Sequence, residues 1–341
     1  MRKKLFAGFI GCTMLFGSLV AGCSTDQLST TNSNAASSES KNAALPAESV
    51  IGEDYVFPNK IEGMPATLSD FKDLKIGSFE TSDGVELSYW AAGKGEPLIL
   101  LPGYSLNGAH FLNVMYLLSD NYRVYTLDPR NQGLSEDVKY GNRLSRHATD
   151  LMEFTEYLGI KSADFVGHSM GAATLWSYID LYGTESIKKV VFVDQPPIIT
   201  PRFGMTDREI QNMGVPFASI EQLEEAMLAL DFSTMESLST PYYENTWTLS
   251  NEFAKNNKDY LNRIIYDHGT NDWRDVIQNK IDVPVAIFSG ELSPNLKGQQ
   301  WIHSVIPGST LYVYSKEEFG DHSLMEKNPV KFAEDLQNFL K

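Results

Sequence analysis

The sequence predicts an α/β fold: a mostly parallel sheet with helices on both faces. Two observations lead to it. Strand-like apolar runs alternate with segments of helical period over most of residues 75–341, which implies right-handed crossovers between parallel neighbours. Several of the runs, residues 98–101 for example, are continuously apolar, as suits strands buried on both faces.

Taken in order, residues 75–93 read as two β-runs joined at Asp83-Gly84, a strong hairpin signal. Strands follow at 98–101 and 122–130. Residues 143–160 carry Leu144, Ala148, Leu151, Phe154 and Leu158 at helical spacing. Residues 163–169 read as a strand, 170–182 as a helix, and 187–197 as a strand stopped by Pro196 and Pro197. Two more strands are expected at 283–290 and 309–315, and the last helix from 329 onward. Residues 198–282 break the alternation: they hold helical stretches and no strand-like run, and are expected to form a helical lid over the mouth of the sheet.

Of the 341 residues, 28 are Lys or Arg and 44 are Asp or Glu, a formal charge of −16. A surface this acidic repels nucleic acid and anionic headgroups, so no nucleic-acid partner is expected. The cysteines are Cys12 and Cys23, both near the N-terminus, which leaves no disulfide framework and no thiolate metal site in the body of the chain.

Residues 1–22 have the layout of a secretory signal: Arg2, Lys3 and Lys4, then an apolar run, then small residues. The stretch LVAGC, ending at Cys23, resembles the bacterial lipoprotein signal, which implies lipidation of Cys23 and anchoring on the extracytoplasmic side of the cell membrane. Residues 24–49 are rich in Ser, Thr, Asn and Ala and bury too little to offset chain entropy, so a disordered tether is expected there, with the folded domain at 50–341.

Gly167-His168-Ser169-Met170-Gly171 lies between a strand and a helix. A sharp strand-to-helix turn lifts the serine out of the sheet, and the glycines let neighbouring chain pass close by. The helix N-terminus aims free N–H groups at the space above, so the Met170 N–H could stabilise an oxyanion. At this point the chain resembles the α/β-hydrolases, in the group of esterases and cofactor-free haloperoxidase-like enzymes. The stretch LLPGY matches the loop that supplies the second oxyanion N–H, by position that of Tyr104. DPRNQGLS, residues 128–135, matches the family's D-x-R-G-x-G-x-S turn with Asn131 in place of a glycine; Asp128 and Arg130 are read as turn-stabilising. The closing motif FGDHSLMEKNPVKF puts the base at His322.

The other histidines are weaker candidates. His168 lies within the elbow and His147 inside a helix, while His110, His268 and His303 lack partners at metal-ligand spacing. No catalytic metal and no cofactor are expected.

The acid is the open question. Most family members carry it after the strand that follows the lid, where this chain has Ser293. Asp194, Glu291 and Asp272 are the substitutes. Asp194 is preferred because it closes a buried strand on the same rim as Ser169, and because some family members keep the acid after this earlier strand. Glu291 is the alternative, and Asp272 looks structural. The expected activity is ester hydrolysis through an acyl-enzyme on Ser169, with small to medium apolar substrates. Nine aromatic residues between Phe203 and Tyr266 could line the pocket or fasten the lid. The same residues would serve a perhydrolase, lactonase, thioesterase or C–C hydrolase, or a binding protein built on the scaffold.

Overall fold

In the computed structural model, described for residues 44–52, 55, 57, 60–229, 240–242 and 258–341, the described strands form a single sheet. They are β1 (Leu45–Pro46), β2 (Lys75–Glu80), β3 (Glu86–Gly93), β4 (Glu96–Leu101), β5 (Tyr122–Leu127), β6 (Ala163–His168), β7 (Ile187–Val193), β8 (Val285–Gly290) and β9 (Thr310–Tyr314). Their spatial order is β1-β2-β3-β5-β4-β6-β7-β8-β9. The first three pairings are antiparallel and every pairing from β5 to β9 is parallel.

The continuous apolar runs divide between the two faces as a two-residue repeat requires. Ile99 and Leu101 of β4 join the core on one side, with the helices Leu144–Tyr157 and Met170–Tyr182. Leu98 and Leu100 join the core on the other, with Leu112–Leu118 and Pro329–Leu340. In β7, Val190 and Phe192 face the first core and Val191 and Val193 the second. The helix Leu144–Tyr157 buries Leu144, Ala148, Leu151 and Phe154, the stripe its spacing predicts.

The hairpin at Asp83-Gly84 closes with Thr81 N–H donating to Val85 O at 2.9 Å and Gly84 at φ 77°, so its loop is longer than two residues. Part of the stretch expected as a tether is structured. Leu45–Pro46 pairs with β2, and Ala47 opens a short helix, Ala47–Ile51. Ala47 is fully buried and its N–H donates to Leu74 O at 3.1 Å. A small side chain that fits against the sheet edge holds this end, which a count of polar residues does not reveal. The expected signal sequence, Cys23 and the part of the expected tether up to residue 43 lie outside the described residues.

Among the described residues, the segment after β7 carries the helices Asp207–Met213, Ile220–Ala229, Lys258–Leu261, Arg263–Thr270 and Arg274–Asn279, joined by turns and one antiparallel bridge between Ile198 and Asp272. Ile199, Leu223 and Ile265 form its own small core, against which Tyr104 and Phe217 pack. Residues 41–341 form one compact unit, so this insertion and the sheet belong together. The carboxyl ends of β4, β6, β7, β8 and β9 share one rim, and each is followed by a residue of the site below.

Candidate active site

Ser169 sits between β6 and the helix Met170–Tyr182 at φ 52° and ψ −126°, left-handed backbone that non-glycine residues rarely adopt. The turn is over-determined by its neighbours. Ser169 N–H donates to Val193 O at 2.9 Å, and Ala172 N–H donates to Ser169 O at 2.8 Å. A Cβ on Gly171 would stand 2.3 Å from Leu101 O, and one on Gly103 would stand 2.9 Å from the Ser169 Cβ. Both glycines are required by close approach, the first so that the helix can meet β4 and the second so that the loop after β4 can run beside the serine. That loop carries Tyr104 into the same cleft as Ser169. Among the described residues, neither the Tyr104 nor the Met170 N–H donates to a protein acceptor.

Asp194 follows β7 at φ 53°, a region Asp tolerates better than most residues. Its N–H donates to Phe288 O at 2.9 Å, which ties the turn to β8. The side chain is fully buried and receives four donors. Ser289 Oγ donates to Oδ1 at 2.6 Å; Oδ2 accepts from Ser293 Oγ at 2.6 Å, from Asn295 Nδ2 at 3.2 Å and from His322 Nδ1 at 2.7 Å.

Because Asp194 accepts at Nδ1, His322 carries its proton there, which makes Nε2 the basic nitrogen of the ring. Burial alone would lower the imidazole pKa. The hydrogen bond to Asp194 and its charge, with those of Asp321 and Glu326, outweigh burial and raise it above the ordinary value. Ser169 and His322 line one cleft of about 460 Å³, while the Ser169 hydroxyl makes no hydrogen bond among the described residues. The structure therefore joins Asp194 to His322 directly and brings Ser169 to the same cavity without closing the serine–imidazole bond.

Glu291 takes no part in this network. It is exposed, and its carboxylate accepts the Lys316 N–H at 3.1 Å. Asp272 pairs with Arg274, at 2.7 Å from Nη2, beside the start of the helix Arg274–Asn279. In the turn after β5, Asp128 is fully buried and accepts from Trp90 Nε1, Gly108 N–H and Leu134 N–H. Burial raises its carboxyl to about 6 against those donors. Arg130 is clamped by Asp150 and Asp83, at 2.7 Å and 3.0 Å. Asn131 occupies the family's glycine position at φ 64° and secures the turn by accepting the Val138 N–H at 2.6 Å.

Two features of the site were not read from the sequence. His168, fully buried, donates from Nε2 to His322 O at 2.8 Å. Burial, then the nearby His322 and His110 rings, hold its pKa well below the ordinary value, so it is a neutral donor. His268 lines the cleft from the helix Arg263–Thr270, and burial pushes its imidazole down to about 4. A single histidine in a helical pattern carries no sequence signal for such a place. The walls are largely aliphatic, with Leu106, Ile199, Leu223, Met227 and Ile265 among them. Of the aromatics expected in the insertion, Phe217 lines the cleft and Phe203 is fully exposed, while Phe232, Tyr243, Trp247 and Phe253 lie outside the described residues.

A family model described as the alpha/beta hydrolase fold matches residues 96–322. The chain is 24% identical over 286 residues to a non-heme chloroperoxidase of Streptomyces lividans, an alignment covering 78% of this chain and 100% of that protein. It is 26% identical over 155 residues to a bifunctional esterase/perhydrolase of Acinetobacter calcoaceticus, covering 45% of this chain and 54% of that one. Among solved structures, the bromoperoxidase of Bacillus anthracis superposes with a TM-score of 0.60 at 24% identity, covering 75% of this chain and 96% of the other. A parallel sheet with the elbow, the β7 acid turn and the late histidine on one rim accords with these matches: the chain belongs to the α/β-hydrolase fold family.

Proposed function

We propose that the protein is a serine hydrolase, a carboxylesterase that cleaves small to medium apolar esters through an acyl-enzyme on Ser169. The observation that carries this reading is the 2.7 Å bond between Asp194 and His322 on the rim that also presents a backbone-strained serine. A serine hydroxyl needs a base, and the base needs an anion to hold its tautomer and stabilise the imidazolium. Ser169 Oγ attacks the ester carbonyl carbon while His322 Nε2 takes its proton. The tetrahedral oxyanion is met by the Tyr104 and Met170 N–H groups. Collapse breaks the C–O bond, and His322 returns the proton to the departing alcohol. Water then releases the acid by the same route. The aliphatic walls of a cleft of about 460 Å³ favour an apolar acyl or alcohol group.

The test is labelling by a fluorophosphonate together with turnover of a p-nitrophenyl ester series. Both should occur with the wild-type protein and vanish in Ser169→Ala. A wild-type protein that takes no label, hydrolyses no ester and yet retains a small molecule would instead be a binding protein on this scaffold.

Similarity to the esterase/perhydrolase of Acinetobacter calcoaceticus supports a second reading, in which hydrogen peroxide replaces water at the acyl-enzyme and a peracid leaves. Peracid formation from an ester plus peroxide, lost in Ser169→Ala, would establish it. Cys23, at the end of LVAGC, is proposed as the lipid attachment site that holds the enzyme on the extracytoplasmic face of the membrane. Cys23→Ser should shift the protein from the membrane fraction to the soluble one.

A further inference from the structure

Beneath His322 lies a column of buried polar side chains that the acyl-transfer scheme leaves unused. The His168 ring lies 4.8 Å from the His322 ring, centroid to centroid. On its other side, the His110 ring stacks on His168 at 5.5 Å, with 25° between the planes. His110 Nδ1 then meets Glu326 Oε1, and both side chains are buried. Two of these groups act on the chain segment that carries His322. His168 Nε2 donates to the His322 carbonyl at 2.8 Å. Glu326 lies four residues after His322, on the short helix Leu324–Lys327.

The partners are themselves well anchored. His110 belongs to the 3-10 turn Gly108–Phe111, whose start is held by the Asn107 side chain at 3.0 Å from Ala109 N and by Asp128 at 2.6 Å from Gly108 N. His168 is the last residue of β6. The segment after β9 is thus gripped from below by one ring on the sheet and one on the loop after β4. A buried carboxylate facing an imidazole is costly unless the pair is kept together, so the contact also resists displacement of the helix that carries Glu326.

We propose that His110 and Glu326 form a buried imidazole–carboxylate pair that, with His168 between them and the site, positions His322 over Ser169. They are positioning residues: Glu326 is not among the residues lining the cleft, and His110, which reaches its wall, acts through the His168 ring. The inference rests on the proposed role of His322 as the base. The charged and titratable groups around His322 include Asp194, Asp321 and Glu326, the neutral His168 ring, Lys327, which is paired with Asp321, and His110 and His268, which line the same cleft. The Glu326 carboxylate acts on His322 in the same direction as Asp194, favouring the protonated ring.

The experiment compares the full-length wild type, Glu326→Gln, His110→Gln and the double variant by three measurements: phosphonate labelling of Ser169, kcat and KM against pH, and the titration of the His322 ring by its Cε1 carbon resonance, assigned with His322→Gln. Expected are a His322 titration that moves to lower pH in Glu326→Gln and a kcat reduced about tenfold with KM nearly unchanged. The double variant should be little worse than either single one, because the two residues act as a unit. An unchanged His322 titration and an unchanged kcat in Glu326→Gln, with wild-type labelling intact, would overturn the inference and leave the hydrolase reading standing. No labelling in the wild type with a shifted His322 titration in Glu326→Gln would do the opposite. A lower melting temperature with neither shift would mark the pair as packing alone and also overturn it.

Discussion

Ser293 donates its hydroxyl proton to Asp194 Oδ2 at 2.6 Å, the same oxygen that receives His322 Nδ1 at 2.7 Å. The residue standing where most family members keep the acid has become a donor to a carboxylate supplied by the neighbouring strand. The turns after β7 and β8 therefore meet at one point in space, and either could present the anion to His322.

That adjacency predicts a relocation. Asp194→Ser should lower kcat about 10³-fold, in line with removal of the acid from other such triads. Adding Ser293→Asp to it should return at least about tenfold of the loss, since a carboxylate on this turn reaches the same imidazole nitrogen. Steady-state kinetics of the single and double variants decide it, and a double variant no better than Asp194→Ser would sink the relocation.

The two candidate carboxylates should separate cleanly. Asp194→Asn is expected to cost roughly 10³–10⁴ in kcat because the imidazole loses its anion and its tautomer. Glu291→Gln should leave kcat and KM near wild type, because its exposed carboxylate holds only the Lys316 N–H. The reverse pattern would move the acid to Glu291.

Activity should fall on the acid side, since His322 must be neutral to accept the serine proton. With its pKa raised by Asp194, the acid limb of kcat/KM should lie above the ordinary imidazole value of about 6.5. In Asp194→Asn the residual activity should show that limb at lower pH. A limb below the ordinary value in the wild type would contradict the arrangement.

Stability should also decline with acid, through a different histidine. Burial pushes His147 down to about 3, helped by the charges of Arg130, His268 and Arg146. The unfolded chain binds this proton near pH 6.5 and the folded chain does not, so the contribution is present above about 6.5 and is lost as pH falls toward the folded value. His322 acts in the opposite sense: its contribution is present below about 6.5 and is lost as pH rises through its raised folded value. Urea midpoints measured from pH 7.5 to 5 should fall more steeply in the wild type than in His147→Gln. Equal slopes would show that His147 takes up its proton to the same extent in the folded and unfolded chains and would overturn its depressed folded value.

The sequence by itself determined the pieces whose physics is local. Alternating runs and helical stripes set β2 to β9 and the helices Leu144–Tyr157, Met170–Tyr182 and Pro329–Leu340, because side-chain period and chain direction are written into neighbouring residues, while Leu112–Leu118 and Leu296–Val305 were not read from them. The elbow was legible because Gly167, Ser169 and Gly171 must stand at that spacing for helix and strand to approach. His322 was legible from the order strand, loop, helix. What the chain alone left open was settled where distant segments meet. Asp194 and Ser293 are 99 residues apart, and only the β7–β8 register puts both against one imidazole. The pairing of Leu45–Pro46 with β2, the His168 bond to the His322 carbonyl and the His110–Glu326 contact are of the same kind. Each depends on which surfaces the sheet brings together, and no local pattern encodes that distance.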